Sequence, residues 1–63
     1  MSDGDQTGFI VEYIQLGNAI KVTAIDPVSM REVSIVGSPK VSSKELASLA
    51  IRKLKYVMER EGE

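Results

Sequence analysis

Sixty-three residues with no cysteine, no histidine and a net charge of −1 leave room for one small domain and exclude much of the usual site chemistry. Disulfides and Cys/His metal sites are ruled out by composition. A chain this short buries only about 60% of its unfolded surface, so stability must come from close packing or from association. The charge is too near zero for global electrostatics to indicate a nucleic acid or a membrane.

Residues 1–8 (MSDGDQTG) are polar, with two glycines and the acids Asp3 and Asp5. They read as a disordered lead-in and lack the apolar run of a secretory signal. Phe9–Leu16 (FIVEYIQL) has the β-branched and aromatic composition of a strand. Gly17-Asn18 tolerates positive φ at both positions and suits a two-residue hairpin turn. A second strand runs over 19–26 (AIKVTAID), and Pro27, which cannot donate to a ladder, opens the next turn. The third strand is 31–36 (REVSIV), closed by Gly37-Ser38-Pro39.

Ser42 and Glu45 have the spacing of a capping box, and a helix is predicted over about 43–61, ended by Gly62. At about 100° per residue, Leu46, Ala47, Ala50, Ile51, Leu54, Val57 and Met58 form one apolar stripe. Leu49 and Tyr56 fall off that stripe, two turns apart. No segment approaches the roughly 18 apolar residues of a membrane span, so a soluble, cytoplasmic domain is expected.

The turns also predict register. A two-residue turn at Gly17-Asn18 sets Leu16 opposite Ala19, Tyr13 opposite Val22 and Val11 opposite Ala24. Pairing Asp26 with Arg31 sets Ala24 opposite Val33 and Val22 opposite Ile35. One face then collects Phe9, Val11, Tyr13, Ile20, Val22, Ala24, Val33 and Ile35, a core for the helix stripe. A one-residue slip at the first turn would swap the faces of strand one, so that hairpin is the open point. The opposite face carries Ile10, Glu12, Ile14, Leu16, Ala19, Lys21, Thr23, Ile25, Glu32, Ser34 and Val36. One helix covers only one side. The expected fold is therefore α+β: a three-stranded antiparallel meander packed against one C-terminal helix.

Catalysis finds little support. Without His or Cys the usual general bases and the strongest nucleophile are missing, and no Gly-rich phosphate loop is present. Glu12 and Glu32 share a face with a strand between them, so no close carboxylate dyad is expected, nor a cofactor or metal. The uncovered sheet face is more informative. Ile10, Ile14, Leu16, Ile25 and Val36, left open, would make an apolar patch larger than monomers usually tolerate. It reads as a protein interface, most simply that of a homodimer, with Lys21, Glu12 and Glu32 setting orientation. The competing reading is a patch folded over by residues 1–8 or the 39–41 loop. Leu49 and Tyr56 are a candidate second contact, or isolated exposed apolar residues of the ordinary kind.

The basic residues Lys44, Arg52, Lys53, Lys55 and Arg60 allow a nucleic-acid alternative in which they contact phosphates. Three strands followed by Ser42-Ser43-Lys44-Glu45-Leu46-Ala47 resemble the second half of a double-stranded-RNA-binding domain, a family whose Lys-rich helix N-terminus contacts phosphates across a groove. Lys44 and Lys40 match that pattern, Ser43 stands where a basic residue is usual, and the family's first helix is missing. The bland alternative is a solvated face balanced by Glu45, Glu59, Glu61 and Glu63.

A broader resemblance covers most of the chain. Residues 16–27 (LGNAIKVTAIDP) and 32–39 (EVSIVGSP), with Leu49, Ala50, Arg52, Lys53, Leu54 and Tyr56-Val57 near the helix end, resemble a family of short uncharacterised alphaproteobacterial proteins. That resemblance implies a bacterial cytoplasmic protein and carries no activity. The expectation is a small non-catalytic interaction module with a protein partner, most simply itself.

Overall fold

The computed structural model describes residues 8–61. Strands β1 (Ile10–Leu16), β2 (Ala19–Ile25) and β3 (Glu32–Gly37) form one antiparallel sheet in the order β1-β2-β3, followed by helix α1 (Ser43–Glu61). Each element lies within a residue of its predicted bounds. The disordered lead-in expected over 1–8 falls, except for Gly8, outside the described residues, as does the helix stop at Gly62.

Both turns act locally to set the register. Gly17 has φ +60° while Asn18 stays at negative φ, so only the glycine uses the left-handed region. That is the backbone pattern of a type II′ hairpin, whose twist matches that of the flanking strands. The pairing that results, Leu16 with Ala19 through Ile10 with Ile25, is the one expected from a two-residue turn. At the second turn Asp26 N–H donates to Arg31 O at 2.9 Å and Met30 N–H to Asp26 O at 2.7 Å. The Asp26 carboxylate accepts from Val28 N–H at 3.1 Å and Ser29 Oγ at 2.9 Å, an Asx-type brace across the loop. Closing it puts Met30 at φ 67°, an uncommon conformation for a side chain of that size. Ala24 then pairs with Val33 and Val22 with Ile35.

The helix starts where Ser42 caps it. Ser42 Oγ accepts from Glu45 N–H at 3.1 Å, and Ser42 O accepts from Leu46 N–H at 3.0 Å. The side-chain half of the predicted box is therefore formed at the serine, satisfying one orphan helix donor. Val22 and Ala24 of β2 and Leu46, Ala50 and Leu54 of α1 form the fully buried core. Phe9, Val11, Ile20, Val33, Val41, Ile35, Ile51 and Met58 pack around it. The two alanines let the helix approach the sheet closely, and Gly37 extends that contact. A Cβ built at Gly37 would lie 2.5 Å from Leu46 Cδ2, so the glycine is the floor on which this leucine sits.

Helix α1 packs on β2 and β3 and scarcely touches β1. The sequence places Tyr13 in the core; the structure leaves it 47% exposed, with its hydroxyl donating to Ser43 O at 3.1 Å. The physical reason is the offset seat of the helix over β2 and β3, which covers Tyr13 only in part. Val41 packs against the core on the helix side, so the 39–41 loop does not fold over the opposite face.

Candidate functional site

The uncovered sheet face is built in rows by the register. Ile10 lies beside Ile25 and Glu32; Glu12 beside Thr23 and Ser34; Ile14 beside Lys21 and Val36; Leu16 beside Ala19. The candidate interface residues thus share the face but do not form one unbroken patch. Ile10 and Ile25 lie at one end, and Ile14, Leu16 and Val36 at the other. Between them runs a polar band whose centre is tightly organised. Thr23 is only 8% exposed, and its Oγ1 lies 2.8 Å from Ser34 Oγ across the strands. Side chains of a non-hydrogen-bonded antiparallel pair approach most closely, which is why the two hydroxyls meet. Val36 is 65% exposed and Leu16 50%; Ile25, on the central strand, is half-buried by its neighbours.

The two edges of the sheet differ. Because Asp26 and Arg31 are hydrogen-bonded, alternation makes Val33 and Ile35 bond to β2 and turns the backbone groups of Ser34 outward. Lys53 of the helix meets this edge: its Nζ donates to Ser34 O at 3.1 Å. On the other side the same alternation makes residues 10, 12, 14 and 16 bond to β2, so the N–H and C=O groups of Val11, Tyr13 and Gln15 face away from the sheet. No strand of the described residues pairs with that edge. All of β1 is exposed except Val11, which is half-buried. Tyr13 therefore joins the accessible apolar surface, while Val11 packs against the core. Strand alternation alone could not reveal this, because it depends on where the helix sits.

The second candidate contact lies on the helix flank beside β3. Leu49 and Tyr56 are exposed there, and Arg60 Nη1 donates to the Tyr56 hydroxyl at 2.9 Å with its Cζ 5.7 Å from the ring centroid. The basic residues do not form one surface. Lys53 is engaged at the β3 edge and Arg60 on Tyr56, whereas Lys55 lies about 160° around the helix from Lys53. Lys44 and Arg52 line a shallow depression with Ser42, Glu45, Ser48 and Leu49, where an acid sits among the cations. Near the helix end Arg31 pairs with Glu61.

Residues 6–61 match the model of a domain of unknown function, DUF6898. The chain belongs to this family. The match spans all three strands and the helix, so the family unit contains the whole β-β-β-α arrangement. The turn at Gly17-Asn18, the Asp26-Pro27 turn and the Val33–Gly37 strand all fall inside it. No curated protein and no solved structure matches the chain. Among the described residues no group of three or more acids is placed to hold a metal ion. No helix of the described residues is long and apolar enough to cross a membrane. Glu12 and Glu32 lie on different edge strands with β2 between them, so they do not form a close pair.

Proposed function

We propose that this chain is a small non-catalytic interaction module that engages a protein partner through β1 and the uncovered sheet face. The observation that carries this reading is the exposure of β1 on both faces and along an edge that no described strand pairs, although it holds Ile10, Tyr13, Ile14 and Leu16. Soluble proteins normally blunt such a strand with charge, proline, a bulge or a covering element. Binding would bury these side chains, while Glu12, Lys21 and Glu32 on the same face orient the partner. Leu49 and Tyr56 supply a second, smaller contact on the helix flank. A bacterial, cytoplasmic setting belongs to the same reading and draws on the resemblance of residues 16–27 and 32–39.

Photo-crosslinking in cells of the source organism tests this reading. A photoreactive residue at Ile14 or Leu16 should give a discrete protein adduct, and one at the exposed Ser48 should not. Absence of any adduct at Ile14 and Leu16 removes the reading. The runner-up, phosphate binding by Lys44, Arg52, Lys53, Lys55 and Arg60, predicts an RNA gel shift at low salt that collapses steeply as salt rises. An apolar protein interface holds or strengthens under the same change.

A further inference from the structure

Deepening the interaction reading above, on which it rests, we infer that the partner of β1 is a second copy of this chain. Two β1 strands pair antiparallel about a twofold axis through Tyr13, giving one continuous six-stranded sheet.

The backbone sets the rule for this pairing. Only Val11, Tyr13 and Gln15 turn N–H and C=O groups outward, so odd-numbered residues must face odd-numbered residues across the new ladder. That condition leaves few symmetric registers. With Tyr13 on the axis, Tyr13 faces Tyr13, Val11 faces Gln15, Glu12 faces Ile14 and Ile10 faces Leu16, and the whole of Ile10–Leu16 is paired. Each of the three bonded pairs exchanges two hydrogen bonds, about six in all. Shifting the axis to Glu12 sets two like charges directly opposite and pairs less of the strand. Shifting it to Ile14 also shortens the ladder, running the ends of β1 against the turn residues.

Side chains on the uncovered face agree with the Tyr13 register. In one copy the row Ile25–Ile10 ends at the β1 edge; across the axis it meets the second copy's Leu16 and Ala19, forming a run of four apolar residues. The adjacent row brings Val36, Lys21 and Ile14 of one copy to the second copy's Glu12. Lys21 and that glutamate then share a row with only Ile14 between them, a charge complementarity that the twofold axis repeats. The polar band that divides the patch in one copy is bypassed, because each apolar end joins the opposite end of its mate.

The choice of edge follows from the same structure. At β3 the outward carbonyl of Ser34 is occupied by Lys53 and the helix crowds the strand, so addition there would displace a charge-assisted contact. At β1 the helix stands off, no lysine or proline interrupts the strand, and its one charge, Glu12, lies on a face and not at the edge. On the helix side the two Tyr13 rings would line the floor of a cleft between the two helices.

Sedimentation of the whole chain with backbone N-methylation tests the inference; 63 residues are within reach of chemical synthesis. Methylating the Tyr13 nitrogen removes a donor that points only outward and should convert a dimer to a monomer with unchanged far-UV circular dichroism. Methylating the Ser34 nitrogen, which faces outward at the other edge, should leave the dimer intact. As a readout of register, Tyr13→Cys should form an intermolecular disulfide readily, because paired Cα atoms at about 5.5 Å lie within disulfide range. Gln15→Cys, off the axis, should not. A wild type that stays monomeric at every concentration overturns the inference, as does a dimer indifferent to methylation at Tyr13. A monomer that still forms a heterologous adduct at Ile14 in the crosslinking experiment would leave the broader interaction reading standing while this inference fell.

Discussion

Substituting Gly37 probes the contact between the end of β3 and the first turn of α1. In Gly37→Ala the new Cβ would lie 2.5 Å from Leu46 Cδ2, about 1–1.5 Å inside the roughly 3.5–4.0 Å of an ordinary carbon–carbon contact. Leu46 is 4% exposed and cannot swing into solvent without uncovering the core. Overpacking of this kind costs about 1–3 kcal/mol. Loss of glycine freedom in the unfolded chain offsets about 0.4–1 kcal/mol of that, because Gly37 does not use a positive φ. The expected net destabilisation is about 1–2 kcal/mol. Leu46→Ala alone should cost about 2–5 kcal/mol through lost burial and a cavity. With the leucine gone the added methyl enters vacated space, so Gly37→Ala should become neutral or stabilising in the Leu46→Ala background. Urea denaturation of the four proteins at one fixed concentration reads this double-mutant cycle, and the coupling should be about 1 kcal/mol or more. Equal effects of Gly37→Ala in both backgrounds would refute the packing described at the end of β3.

Leu54 is among the largest fully buried side chains, so Leu54→Ala should remove about 2–5 kcal/mol. For 63 residues at about 0.05–0.15 kcal/mol each, that approaches the whole stability of about 3–9 kcal/mol. Thermal melting should show a largely unfolded chain, while Leu49→Ala on the exposed flank should melt nearly as the wild type does; similar losses for both would contradict the helix orientation. Met30 holds φ 67° at the second turn, and Met30→Asn, which tolerates that conformation, should stabilise by about 0.5–1 kcal/mol. The melting midpoint should rise by a few degrees, at about 4–8 °C per kcal/mol in a domain of this size. A lower midpoint would show that the methionine side chain, and not its backbone, matters there.

The geometry of the uncovered sheet face was partly legible in the sequence. The apolar positions Ile10, Ile14, Leu16, Ile25 and Val36 were legible from alternation because the two turns set the register independently. Their division by Glu12, Thr23 and Ser34 follows from the same register but depends on reading residues across strands. Tyr13 was not legible as surface, since alternation assigns it to the helix side, where Val11 does pack. The basic residues looked like one cluster in the chain, yet helical geometry separates Lys53 and Arg60 from Lys55.

What the chain by itself determined is everything governed by near neighbours. Gly17 and the Asp26–Arg31 loop choose the pairing, period-two alternation assigns faces, and Ser42 starts a helix with one apolar stripe. These depend on φ preferences, short hydrogen bonds and the spacing of side chains within a few residues. Only the tertiary structure decided where the helix rests on the sheet. That position follows from how Ala24 and Gly37 of the sheet fit in volume against Leu46 and Ala50 of the helix, a match between elements that no local period relates. The offset toward β2 and β3 brings Lys53 to the β3 edge and leaves most of β1 exposed, which turns an ordinary strand into an accessible apolar surface.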